Sequence, residues 1–202
     1  SSSIKVTVNV LEVNDVPEAE VIKQVDAVEE VAISFKLSDH LKVTDIDTPL
    51  EQLTYSVSAV HGVVSIDKNG NITYTGNKDY FGVDEITVTI NDGKGGITKV
   101  DLPIHVENVN DAPTAAQPVI NNTVMQSASV TGSLGVTDVD GDILNYPSTV
   151  TSKNGLTVNI DKDGNYTYAP GDGYKYQSDS FDVIVKDPSG EFVTVHVDVK
   201  ID

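Results

Sequence analysis

The chain has no cysteine, no tryptophan and a single methionine. Without cysteine there is no disulfide and no thiolate metal site. Without tryptophan the strongest aromatic platform for sugar rings is missing. No apolar run approaches the roughly 20 residues that a spanning helix needs, so no direct membrane insertion is expected. Basic residues are scarce as well, 13 Lys and Arg against 31 Asp and Glu, for a formal net charge of −18. That surface repels nucleic-acid phosphates and anionic lipid, and nucleic acid is excluded as a partner. It suits cations, and its self-repulsion costs stability unless something neutralises it.

Signs of catalysis are lacking too. No G-x-S-x-G elbow is present, and the aspartates have no nucleophile paired with a base near them. Gly93, Gly95 and Gly96 are not followed by Lys-Ser/Thr, so they read as a turn, not a phosphate loop. His40, His61, His105 and His196 are scattered, which argues against zinc. The chain is read as noncatalytic.

What is present is repetition within 202 residues, of which 39% are hydrophobic. "VTDIDTPLEQLTY" at 43–55 returns as "VTDVDGDILNY" at 136–146. "SIDKNGNITYT" at 65–75 returns as "NIDKDGNYTYA" at 159–169. "DEITVTINDGKGG" at 84–96 returns as "DSFDVIVKDPSGE" at 179–191. Three blocks in one order, at slowly drifting offsets, mean two homologous modules. A third, partial copy opens the chain. "IKVTVNVLEVND" at 4–15 matches "VDLPIHVENVND" at 100–111, with Ile4, Val6, Val8 and Val10 in step with Val100, Leu102, Ile104 and Val106. The divisions are 1–15, the last strand of a preceding repeat plus its joint, then 16–109 and 110–202. The natural protein is expected to continue in both directions.

The hydrophobic period is two, as in Ile86, Val88 and Ile90 or Val193, Val195, Val197 and Val199. Turn signals recur every 8–12 residues, and "KNGN" and "KDGN" read as hairpin turns with positive φ at Asn-Gly and Asp-Gly. The fold class expected is all-β: two tandem Ig-like Greek-key sandwiches, elongated end to end. Strands are expected near 21–25, 31–36, 53–59, 63–67, 72–75, 85–91 and 98–107. Those of the second module are expected near 118–121, 128–132, 143–150, 156–161, 166–169, 180–186 and 192–201.

In a seven-strand sandwich alternate loops share a pole. The second-to-third loop holds Asp45 and Asp47, or Asp138, Asp140 and Asp142; the sixth-to-seventh holds Asp92, or Asp187; the incoming joint holds Asn14 and Asp15, or Asn110 and Asp111. Carboxylates gathered so closely raise each other's pKa. A hard divalent cation removes that conflict, and Ca²⁺, which takes six to eight oxygens, is the cofactor expected. The other pole of the first module offers Glu29, Glu30, Asp84 and Glu85, expected to meet the acids of the next module across the joint. Pro17 and Pro113 stiffen the joints' exits. The neighbouring repeats of the same chain are thus the expected partners, with the fragment itself monomeric.

Taken together, the "VNDxP" joints, the "VTDxD" loops, "DKNGNITY" and "DYFGVDEITVTINDGKGG" resemble the tandem cadherin-like and VCBS-like repeats of large RTX-type bacterial surface adhesins. The resemblance covers both modules and the opening segment. It implies an extracellular, calcium-rigidified, cell-surface spacer that supports adhesion or biofilm formation, with surface ligands bound by other domains. The joint and loop acids also resemble the calcium ligands of animal cadherins. Two departures stand out. Pro follows where the animal linker has a further Asn, and Gln126 and Ser127 replace Glu29 and Glu30 in the second module.

Other readings of single motifs are weaker. "DVDGD" and "DKDGN" miss the EF-hand pattern, because the positions for Gly and Glu hold Ile143 and Thr149, or Tyr166 and Asp172. Tyr80 and Tyr174 resemble a tyrosine corner. An exposed row of Tyr166, Tyr168, Tyr174 and Tyr176 would favour the alternative function, a module that itself binds a glycan, peptide or matching repeat. A noncatalytic accessory domain of a secreted polysaccharide hydrolase is the third reading.

Overall fold

A computed structural model describes residues 3–9, 11 and 13–202. The chain divides into two units between Val109 and Asn110. Strands dominate both, and the helical pieces among the described residues are two short 3₁₀ turns, Leu37–Asp39 and Leu50–Gln52. No described helix is long and apolar enough to cross a membrane.

The first unit has nine strands: β1 Glu18–Val21, β2 Val25–Val28, β3 Ile33–Lys36, β4 Leu41–Thr44, β5 Thr54–Ala59, β6 Gly62–Ile66, β7 Asn71–Gly76, β8 Gly82–Asn91 and β9 Ile97–Glu107. One sheet has the order β2-β9-β8-β5 and the other β3-β7-β6, with β1 and β4 paired beside them. Between the sheets lie Ile72, Tyr74, Ile86, Val88, Ile90, Leu102 and Ile104, all essentially sealed from solvent. Alternation makes this core: Ile86, Val88 and Ile90 of β8 face inward, while Glu85, Thr87 and Thr89 between them face outward.

The first strand expected, 21–25, is two strands. β1 pairs antiparallel with β4, and β2 pairs parallel with β9. The chain crosses from one partner to the other over 22–24, and that crossing dilutes the period-two signal. Residues 4–9 carry no strand, and Ile4 is 89% exposed. Val10, the last member of the opening apolar row, lies outside the described residues.

The second unit has β10 Thr114–Ala115, β11 Val119–Val124, β12 Val130–Ser133, β13 Val136–Thr137, β14 Thr149–Thr151, β15 Thr157–Ile160, β16 Asn165–Tyr168, β17 Ser178–Lys186 and β18 Phe192–Ile201. Its sheets run β11-β18-β17 and β12-β16-β15-β14. The expected strand 143–150 is broken. Asn145 makes one bridge to Lys186, then Pro147 intervenes, and β14 joins the opposite sheet beside β15. Proline supplies no ladder N–H, which suits the break in pairing at Pro147.

The "KNGN" and "KDGN" turns close the β6–β7 and β15–β16 hairpins, but the positive φ falls on Gly70 and Gly164 alone. Aspartate does the remaining work. Asp67 Oδ1 accepts the N–H groups of Asn69 and Asn71 at 2.8 and 2.9 Å, and Asp161 does the same for Asp163 and Asn165. These are Asx turns completed by a glycine.

Two glycines make room for buried tyrosines. A Cβ on Gly62 would collide with the Tyr74 ring, and one on Gly132 with the Tyr166 ring. Gly132→Ala should therefore destabilise the second unit by about 1–3 kcal/mol in urea unfolding, as overpacking does. A loss below about 0.5 kcal/mol would mean that Tyr166 is loosely held.

Candidate metal centre

In each unit the strand that fills the middle of the core has an aspartate at both ends of its inward row. β8 reads Asp84, Ile86, Val88, Ile90 and then Asp92; β17 reads Asp179, Phe181, Val183, Val185 and then Asp187. All four aspartates are buried. The two ends do different things.

Asp84 is expected among the ligands at a pole; in the structure its carboxylate is buried and hydrogen-bonded. Tyr74 donates its hydroxyl to Asp84 Oδ2 at 2.8 Å, and the His61 N–H donates to both oxygens at 3.2 Å. Asp179 is more heavily bound, by the hydroxyls of Ser152, Tyr168 and Tyr174 and the N–H groups of Asn154 and Ser180. Burial and the neighbouring carboxylate push both Tyr74 and Tyr168 well above the usual phenol range. Desolvation would raise Asp179, but these bonds to the charged form outweigh it and hold it below the ordinary carboxylate value. These carboxylates are satisfied, and their task is to tie one sheet to the other.

Of the two glutamates expected beside Asp84, Glu30 is exposed at φ 58° with its carboxylate 3.5 Å from Lys78. Glu29 is buried. Its Oε1 accepts the Val109 N–H at 2.6 Å, while Oε2 has no hydrogen-bond partner.

At the opposite end of the row the expected loops meet. In the first unit Asn14 Nδ2 donates to Asp92 Oδ2 at 2.7 Å, and the Asp15 N–H to Asp47 Oδ2 at 3.0 Å. Asp45 Oδ1 caps its own loop, accepting the N–H groups of Asp47 and Thr48. Lys94 reaches in, donating to the Asp47 backbone carbonyl at 2.8 Å with its ammonium 3.7 Å from Asp47 Oδ1. The Asp15 N–H leads the bonds that hold Asp47 below the ordinary carboxylate range, and Asn14 leads those on Asp92.

The second unit repeats this with changed charge. Asn110 Nδ2 donates to Asp187 Oδ2 at 2.9 Å, and the Asp111 N–H to Asp140 Oδ2 at 2.7 Å. Asp138 Oδ1 accepts the Asp140 N–H at 2.9 Å. Asp187 is desolvated, yet Asn110, Ser189 and the backbone of Gly190 and Glu191 keep it ionised and low. Ser189 stands where the first unit has Lys94, and Asp142 where it has Pro49. Among the described residues no ion pair answers the extra acid. Desolvation, then the charges of Asp138, Asp140 and Asp187, push the Asp142 carboxyl up.

One carboxylate oxygen each from Asp138, Asp142 and Asp187 lie within 4.8 Å of one another. Two oxygens on one Ca²⁺ stand at most about 5 Å apart, so the spacing suits a shared ion. The donor set is all oxygen, as a hard cation requires. Buried oxygens that lack any hydrogen-bond partner sit here: Asp138 Oδ2 and Asp140 Oδ1, with Asp45 Oδ2 at the like place in the first unit. Uncompensated buried carboxylate oxygens are costly, and a cation would satisfy them. The residues present therefore fit Ca²⁺. Asp142 is the member that the sequence underrated; its signal was a third aspartate at spacing two after Asp138 and Asp140.

A family model described as bacterial cadherin-like domain matches residues 14–108, and one described as bacterial Ig domain matches 110–200. Among solved structures, protocadherin gamma B2 extracellular cadherin domains 1–5 align over 95% of this chain and 41% of that one, at 18% identity and TM-score 0.60. Human CDH23 EC21-23 aligns over 93% and 70%, at 16% identity and TM-score 0.62. Human mucin-like protocadherin EC1-2 aligns over 92% and 98%, at 17% identity and TM-score 0.58. At such identities the likeness is one of fold. No curated protein matches the chain in sequence. Bacterial domains of these two kinds are typically extracellular and noncatalytic, and cadherin-like ones typically bind Ca²⁺. The chain belongs to the bacterial cadherin-like and Ig-like repeats, one of each in tandem.

Proposed function

We propose that these repeats are a calcium-stiffened extracellular spacer of a large bacterial surface adhesin, holding an adhesive region away from the cell and so supporting adhesion or biofilm formation. The observation that carries this reading is the pole of the second unit. Buried carboxylate oxygens without partners gather there beside Asn110 and Asp111, the residues that follow directly on the first unit. A cation at that pole would fix the joint segment to the second repeat's own loops.

The first unit's pole is the weaker site. Lys94 already supplies positive charge to Asp47, and no third loop carboxylate accompanies Asp45 and Asp47. Calorimetric titration of calcium tests the reading. The expected dissociation constant is about 10⁻⁴ to 10⁻³ M, the range of extracellular modules. Protons compete for the same oxygens. The Asp142 carboxyl is raised, so its protonation as pH falls weakens binding. Asp142→Asn should weaken binding at pH 7 and make the binding that remains less sensitive to falling pH. Absence of any heat of binding at pH 7 would refute the proposal.

A further inference from the structure

The outer face of the β11-β18-β17 sheet sets a histidine between two acids. His196 lies on β18, the middle strand, opposite Asp182 of β17. Asp198 follows two residues later on the same face. The His196 ring has Nδ1 2.6 Å from Asp182 Oδ1 and Nε2 3.2 Å from Asp198 Oδ1. A neutral imidazole carries one N–H and donates at only one of these ends, whereas the imidazolium donates at both. The arrangement therefore fits the charged ring.

The rest of its surroundings are uncharged or already paired. From β11 the residues opposite His196 and Asp198 are Val119 and Asn121, and Ala116, Gln117 and Pro118 before that strand carry no charge. On β17 Ser180 and Ile184 flank Asp182 on this face. On β18 itself Thr194 comes before, and Lys200 beyond is paired with Asp202. The hydrogen bond to Asp182, and after it Asp198, lifts the imidazole above the ordinary histidine value of 6.5.

The framework does not demand this trio. At the places of Asp182, His196 and Asp198 the first unit has Thr87, Asp101 and Pro103. There Thr87 donates its hydroxyl to Asp101 Oδ1 at 2.9 Å, a bond with no group that titrates near neutrality. Other histidines are placed differently. His40 Nδ1 meets the backbone carbonyls of Lys23 and Gln24, and His61 stacks on Tyr80 with ring centroids 4.0 Å apart.

We propose that His196 is a proton-operated clamp between β17 and β18, closed on Asp182 and Asp198 when the ring is charged and released when it is neutral. A histidine held in its charged form by the fold contributes fully below its unfolded value, about 6.5, and loses that contribution as pH rises through the higher folded value. The neutral ring leaves two carboxylates facing each other diagonally across the strands of a chain with net charge −18. Acid thus tightens this clamp, opposite in sign to its effect on the metal pole. The clamp is independent of calcium, so it is tested in chelator.

Proton NMR of the whole chain follows the His196 ring. Its titration midpoint should lie above 6.5, fall in Asp182→Asn and, by less, in Asp198→Asn, and come closest to 6.5 in the double variant. Raising salt from 0.05 to 0.5 M should lower it too, as screening of an exposed pair requires. Melting of the second repeat gives the structural readout. At pH 5.5 wild type should melt a few degrees above His196→Gln, the scale of an exposed ion pair, and at pH 8.5 the advantage should shrink. A wild-type midpoint at or below 6.5 overturns the proposal, as does an advantage over His196→Gln that is equal at the two pH values.

Discussion

In 10 mM calcium the second repeat should melt about 10–20 °C higher than in chelator. A dissociation constant near 10⁻⁴ M makes that concentration about 100-fold saturating, and linkage converts this to about 2.7 kcal/mol. For a domain of this size each kcal/mol moves the midpoint by about 4–8 °C. The metal-free state is also penalised by Asp138, Asp142 and Asp187, whose oxygens crowd within 4.8 Å. Asp138→Asn separates the two effects. The amide keeps an oxygen to accept the Asp140 N–H but removes one charge. Its melting point in chelator should match or exceed that of the wild type, while most of the calcium shift disappears. Scanning calorimetry of both proteins reads this directly. A wild type indifferent to calcium, or a variant that keeps the full shift, would show that the pole is only an acidic surface.

Asp179→Ala should be the most damaging single change in the second repeat, costing about 3–5 kcal/mol. The carboxylate accepts bonds from three hydroxyls and two backbone N–H groups, and its removal leaves buried donors unsatisfied. Tyr174→Phe removes one of those bonds and should cost about 1 kcal/mol. Urea unfolding at pH 7 with calcium present measures both. An Asp179→Ala loss below about 1 kcal/mol would mean that the hydroxyls find other partners and that the tie between sheets is dispensable. The same variant marks which thermal transition belongs to the second repeat.

Much of this was legible in the residues. Alternating Val and Ile placed the long strands β8, β9, β17 and β18, because a half-buried strand forces that period. The repeated offsets alone read as two modules. The joint and loop acids fell at one pole by the parity of loops alone, and the structure brings Asn14, Asp15, Asp45, Asp47 and Asp92 together as it does their counterparts. Three things were hidden. The split of the first strand and the break at Pro147 depend on which sheet a short segment joins, which local pattern does not encode. Asp84, just ahead of an expected strand, reads as a loop acid and ligand at the pole, whereas its carboxylate is buried. Its position in the inward row, eight residues before Asp92, and the same spacing from Asp179 to Asp187, were the missed signals. Tyrosines are similarly ambiguous. Tyr166 and Tyr168 belong to the core, and only Tyr176 of the expected exposed row stands well clear. A tyrosine has an apolar body and one polar atom, so a single buried acceptor such as Asp179 suffices to bring it inside.

The central claim is that calcium stiffens the joint, and small-angle scattering of the whole chain tests it most directly. Wild type and Asp111→Ala are measured with calcium and with chelator. Without calcium the segment around Val109 and Asn110 should act as a short flexible linker, giving a broad distribution of interatomic distances. With calcium, wild type should become longer in maximum dimension and narrower in distribution, as modules locked end to end would be. Asp111→Ala should respond much less, while its two repeats unfold as cooperatively as before. If wild type gives the same distribution in calcium and in chelator, the joint is rigid by packing or flexible throughout, and the proposed role of the ion is wrong.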